Sequence, residues 1–167
     1  MKDAEFVNRS NQLSGAVIGA AIDVHKALGP GLYESVYEHC LAKELQMRGI
    51  HCEQQLTFQL NYKGKDTGQV FRIDMLVEDE LVVELKAVDE LTALNEVQLV
   101  TYLKLLDKHL GLLINFNVER LTDGVRRRVN NLGLIVSKSQ VDHRVVCTRW
   151  TGESAASANS VGKFPSL

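Results

Sequence analysis

Hydrophobic positions along the chain change period repeatedly, and each change marks an element. Leu13, Val17, Ala20, Val24 and Leu28 recur at helical spacing and predict a first helix over 10–28. Gly15, Ala16, Gly19 and Ala20 make part of that helix small, so another element can pack closely against it. Gly29-Pro30-Gly31 breaks the pattern. A second helix is predicted over 32–48, ended by Gly49. Tyr33, Val36 and Cys40 would form its inner face, with Tyr37 and Leu41 as further candidates.

The period then falls to two. Leu56, Phe58, Leu60 and Tyr62 alternate with polar residues, as in a half-buried strand. Lys63-Gly64-Lys65-Asp66 is a turn. A second strand is predicted over 69–77 and a third over 81–88, joined by a tight turn at Glu78-Asp79-Glu80. Residues 92–109 return to helical period through Leu99, Leu103 and Leu106, with Leu110 continuing the stripe. Residues 111–116 are apolar enough for a strand buried on both faces. Residues 123–130 read as a short basic helix. The order α-α-β-β-β-α-β-(α) predicts an α/β (α+β) fold: a mixed β-sheet with an antiparallel hairpin core, flanked by helices.

Beyond residue 130 the pattern fades. Residues 1–130 read as the domain and 131–167 as a poorly ordered tail, with a short edge-strand pattern over 141–150. No internal repeat is visible. The domain carries 15 Lys/Arg against 19 Asp/Glu, a net of −4, and the tail carries +2. That balance excludes a strongly basic polyanion-coating protein, so a nucleic-acid role needs a local basic groove or a bound cation. Cys40, Cys52 and Cys147 contain no Cys-x-x-Cys pair and read as free thiols. The apolar run at 15–22 is far shorter than a membrane span, and the opening residues lack a basic leader, so the expected location is cytoplasmic, off the membrane.

The chemistry concentrates in the hairpin 71–88. With Val77 facing Leu81, Met75 faces Val83, Ile73 faces Leu85 and Phe71 faces Ala87, all on one apolar face. The other face then sets Asp74 opposite Glu84 and Arg72 opposite Lys86, with the carboxylate-bearing Cβ atoms roughly 5 Å apart. Directly opposed like charges destabilise a sheet unless something offsets them. Mg²⁺ favours carboxylate oxygens, and the Leu85 carbonyl is a further ligand candidate. Lys86 is placed to orient or deprotonate a water. The same pattern also fits a solvated face on which Arg72 and Lys86 screen the acids.

Gln98 and Tyr102 stand four residues apart on the next helix and share a face, suited to holding water or phosphate or to lining an amphipathic rim. Glu34 falls in the first turn of the second helix, where a carboxylate complements the helix dipole. His25 reads as a helix-end or surface histidine. Arg120 and Arg126-Arg127-Arg128 suit either phosphate contacts or a solvated helix end.

Gly31-x-x-Glu34-x-x-Tyr37, within GPGLYESVYEH, resembles the signature of the GxxExxY family, which is grouped with PD-(D/E)xK nuclease-like proteins. The order Glu34, Asp74, Glu84-Leu85-Lys86, Gln98-x-x-x-Tyr102 is similar to the exonuclease branch of that superfamily. The resemblance covers roughly residues 10–130 and departs from the pattern at Ile73, where the motif carries proline. It implies a restriction-endonuclease-like fold and a Mg²⁺- or Mn²⁺-dependent phosphodiesterase acting on DNA or RNA. Asp74, Glu84 and the Leu85 carbonyl would bind metal, and Lys86 would serve the water. Glu34 would support the site, while Gln98 and Tyr102 would position water or phosphate. The other reading is a non-catalytic module that binds protein or nucleic acid on the same scaffold, with the small-residue first helix and the Tyr33/Tyr37 region offering a homo-oligomer interface.

Overall fold

A computed structural model describes residues 2–130 together with Cys147–Thr148. Helix α1 spans Lys2–Leu28 and α2 spans Glu34–Met47. Strands β1 (Cys52–Tyr62), β2 (Lys65–Val77) and β3 (Leu81–Lys86) follow. Helix α3 (Ala93–Leu105) leads to β4 (Leu110–Asn115). A 3₁₀ turn at Leu121–Gly124 precedes β5 (Val125–Val129), and Cys147–Thr148 form β6.

The sheet runs β5-β4-β3-β2-β1-β6. Among the described residues, only β3 and β4 pair in parallel, with α3 as their crossover; every other neighbouring pair is antiparallel. This is the mixed, helix-flanked sheet that the order of elements predicts. The central strands β3 and β4 are buried almost throughout, which explains their continuous apolar runs.

Two cores lie on opposite faces. The first joins Val17, Ala20 and Ala21 of α1 and Tyr37, Leu41 and Leu45 of α2 to Met75, Val77, Val83, Leu85 and Ile114 of the sheet. The second joins Leu99, Leu103 and Leu106 of the α3 region to Leu56, Phe58, Ile73, Leu76 and Val82. Gly111 lets α3 approach closely: a Cβ there would stand 2.8 Å from Leu99 Cδ1.

Four expectations change. The arginine run is an edge strand instead of a helix, because its backbone pairs with β4 from Leu110↔Val129 to Ile114↔Val125. The inner face of α2 is Tyr37, Leu41 and Leu45; Tyr33 is 84% exposed and Val36 is also exposed. His25 is buried, with its Nε2 2.8 Å from the Val118 carbonyl oxygen.

The fourth change matters most for the site. The predicted hairpin register holds for Val77↔Leu81, Leu76↔Val82 and Met75↔Val83, where the described pairing ends. The single apolar face through Ile73 and Phe71 does not hold. Met75 and Val77 lie in the first core, whereas Ile73 lies in the second and Phe71 packs against it. β1 makes the same change, since Cys52 packs on the first core while Leu56 and Phe58 belong to the second. The change falls at Gln55 and Asp74, the one step absent from a register that otherwise runs unbroken from Cys52↔Val77 to Gln59↔Val70. Gln55 has a left-handed backbone, φ 53°, which resets the alternation at that point.

Candidate active site

The approach to α2 is fixed by its own sequence. Gly31 has φ 95°, a conformation that a side chain disfavours. The Tyr37 hydroxyl then closes the loop: it donates to the Gly29 carbonyl oxygen at 2.7 Å and accepts from the Leu32 amide at 3.1 Å. Its ring is fully buried and stacks on Phe116 at 4.4 Å. The Gly31 and Tyr37 positions thus set where α2 begins, and Glu34 is its first residue. Tyr37→Phe is expected to lower stability by about 1–2 kcal/mol, through loss of two hydrogen bonds at a partly buried loop. A urea midpoint that falls with an unchanged slope checks it.

Asp74 sits at the change of face. Its Oδ2 accepts from the Leu85 amide at 2.8 Å. The side chain thereby takes a bond at the level where the β2–β3 backbone ladder has ended, and the expected direct Asp74–Glu84 pairing is replaced by a side-chain bridge. The Lys86 Nζ donates to the Leu85 carbonyl oxygen at 2.9 Å. It also stands 3.6 Å from Glu84 Oε2 and 3.9 Å from Glu34 Oε1. Glu34, Asp74, Glu84 and Lys86 therefore form one charged group, contributed by α2, β2 and β3.

Its electrostatics are unfavourable for the acids. The Glu84 side chain is only 5% exposed, and its buried Oε1 has no hydrogen-bond partner among the described residues. Burial, and then the Asp74 carboxylate, push its pKa up to about 8, against the pull of Lys86. Burial also raises Glu34, with Lys86 opposing.

A further acid, Glu38, was not singled out in the sequence. It is buried one turn beyond Glu34 and accepts from Gln54 Nε2 at 3.2 Å and Gln55 Nε2 at 2.5 Å. Burial raises its pKa first, and Asp74 adds to the rise. Its spacing of i, i+4 from Glu34 was a readable signal. Asn115 was also missed. It is buried beside Lys86 in the β3–β4 register. Its side chain accepts from the Val88 amide at 3.1 Å and donates to the Val88 carbonyl at 2.7 Å, fixing the chain just past Lys86.

Gln98 and Tyr102 are not joined to this group. Gln98 Nε2 donates to the Tyr102 hydroxyl at 2.8 Å, and the Tyr102 ring packs edge-on against Phe58 and Phe71 in the second core. Among the described residues, no hydrogen bond or ion pair links either one to the acids or to Lys86. The arginine run is likewise committed elsewhere. Arg126 and Arg128 pair with Glu96, and Arg127 donates to Asn11.

Among the described residues, no three His, Cys, Asp or Glu side chains stand together as a ready-made metal cage. The donors that do fit a hard cation are the Asp74 and Glu84 carboxylates and the Leu85 carbonyl. The buried, unpartnered Glu84 Oε1 is the feature that favours one. Mg²⁺ needs only one or two carboxylates and keeps several waters. No helix among the described residues is long and apolar enough to cross a membrane.

A family profile described as the PD-(D/E)XK nuclease superfamily matches residues 11–128, a span holding all four members of the charged group. Comparisons with curated proteins and with solved structures return no match.

Proposed function

Because the chain belongs to the PD-(D/E)XK nuclease superfamily, we propose that it is a divalent-metal-dependent phosphodiesterase acting on DNA or RNA. The observation that carries this reading is the buried Glu84 carboxylate, with one orphaned oxygen, set beside Asp74 and Lys86. Asp74, Glu84 and the Leu85 carbonyl would hold Mg²⁺ or Mn²⁺. When bound, such a cation polarises a phosphoryl oxygen and neutralises developing charge.

The chain's own groups do the rest. Lys86 Nζ lies among Glu84, Glu34 and the Leu85 carbonyl, which aim its protons. From there it orients the attacking water and exchanges a proton with it. Glu34 places a second carboxyl group near the Lys86 ammonium, its Oε1 3.9 Å from Nζ. Gln98 and Tyr102 would position water or phosphate as a hydrogen-bonded pair. The Gly31-x-x-Glu34-x-x-Tyr37 pattern supports a place in the GxxExxY family, since each of its residues bears on the start of α2.

The test is a cleavage panel of labelled single- and double-stranded DNA and RNA with Mg²⁺ or Mn²⁺. Metal-dependent cleavage of at least one substrate is expected, falling by on the order of 10²-fold or more in Asp74→Asn. Absence of cleavage with both metals, or equal cleavage by the variant, overturns the catalytic reading and leaves the binding-module alternative.

A further inference from the structure

Two clefts share a wall beside the charged group. One, of about 650 Å³, is lined by Tyr33, Glu34, Glu38, Asp74, Gln55 and Arg72, so acids and a cation share its wall. The other, of about 540 Å³, is lined by Lys43, Gln46 and His51. His39 and Gln54 border both. Together they make one trough between α2 and the first half of β1. From Glu34 to Gln46 it follows the helix for about 18 Å.

Its walls combine an exposed aromatic residue with charged side chains. Tyr33 is 84% exposed, and its side chain makes no cap bond at the start of α2. The aromatic ring is therefore spent on neither core nor helix. Many basic side chains elsewhere are neutralised: Arg48 by Asp23 and Glu44, Lys108 by Asp79, Arg126 and Arg128 by Glu96. Lys43 and Arg72, in the trough, make no ion pair among the described residues. Arg72 stands at the end nearest Asp74 and Lys43 at the far end.

A free aromatic face and two spaced cations outside any close ion pair, Arg72 also acting on the Glu38 carboxylate, match one ligand chemistry along this track: an unpaired polynucleotide. Phosphates meet Arg72 and Lys43, and a base stacks on Tyr33. A paired duplex keeps its base faces stacked inside and offers none to Tyr33. We propose that this trough binds a single strand and leads it to the group formed by Asp74, Glu84 and Lys86. The proposal rests on the nuclease reading for what happens at that end of the trough; the binding itself does not.

The test measures binding of the full chain in EDTA, where cleavage does not intervene. Fluorescence anisotropy compares short oligodeoxyuridylate and oligouridylate, which differ in the sugar alone, with a duplex of equal length. Either single strand is expected to bind tighter than the duplex, and the ranking of the two identifies the sugar. Tyr33→Ala is expected to weaken single-strand binding by about tenfold, as for loss of one stacked base, with Tyr33→Trp restoring it. Lys43→Gln is expected to reduce the salt slope by about 0.7, one phosphate contact on a single strand. Unchanged single-strand affinity in Tyr33→Ala overturns the proposal, as does a duplex bound as tightly as the strand and weakened equally. If Tyr33-dependent binding persists while the cleavage panel fails, the track stands and the catalytic reading falls.

Discussion

Lys86→Met is expected to lower the rate of metal-supported cleavage by about 10²–10⁴-fold, the range for a positioned proton-transfer group. The side chain is mostly buried, and three oxygens from three residues surround its Nζ. Methionine keeps the length and the packing of the stem and removes only the ammonium. Single-turnover rates at saturating Mn²⁺ check the loss. Mn²⁺ binding followed by calorimetry should persist, because the variant removes a cation from beside Glu84 and leaves both carboxylates. Lys86→Arg separates proton transfer from simple charge. Guanidinium keeps the charge but does not give up its proton. Recovery of the rate by arginine would reduce Lys86 to an electrostatic role, and a methionine variant within about threefold of the parent would remove it from catalysis altogether.

Stability of the metal-free protein should fall as pH rises from about 4.5 to about 8, and Glu84→Gln should remove much of that fall. The folded state holds the Glu84 carboxyl protonated up to about 8, whereas the unfolded chain releases the proton near 4.5. A group whose folded pKa is raised contributes full stability below the unfolded value and loses it as pH rises through the folded one. The span corresponds to a few kcal/mol, on the order of 3–5 as an upper range. Glu34 and Glu38 shift in the same direction, so the Gln variant should flatten the profile without making it level. Urea unfolding in EDTA across this pH range supplies the comparison. Glu84→Gln should be the more stable protein at pH 8 and inactive in cleavage, a trade between stability and function expected of a buried acid kept for its chemistry. A pH slope identical in parent and variant would place the titrating group elsewhere.

Much of this fold was legible because its elements differ in period. The pairing of Met75 with Val83 followed from alternation alone, and it put Asp74, Glu84 and Lys86 at one end of a hairpin. The change of face at Asp74 was not legible. Ile73, Met75 and Val77 alternate without a break in the sequence, so a backbone reset between them leaves no trace in the apolar pattern. Its structural mark is the left-handed Gln55, on the neighbouring strand and of a residue type that gives no warning. On α2, apolar residues occupy both sides, so spacing alone put Tyr33 on the inner face and offered Tyr37 only as a further candidate. The hydroxyl bond from Tyr37 to Gly29 decides between them. The arginine run has helical composition but takes its structure from β4, a partner visible only in three dimensions. Asn115 was hidden for the same reason, since its contact with Val88 is long-range; Glu38 had only its i, i+4 spacing from Glu34 to mark it, its contact with Gln55 being long-range too.

The crossing at Gln55 and Asp74 has a consequence for how the site is tuned. Asp74 is carried by strand segments seated in the second core, under α3, on one side of it and in the first core, under α1 and α2, on the other. Glu84 lies between Val83 and Leu85, which belong wholly to the first. The gap between the two carboxylates is thus an alignment between two foundations, adjustable by substitutions beneath α3 that touch neither acid. Selection could retune the spacing of the two carboxylates through that remote packing while leaving every charged residue in place.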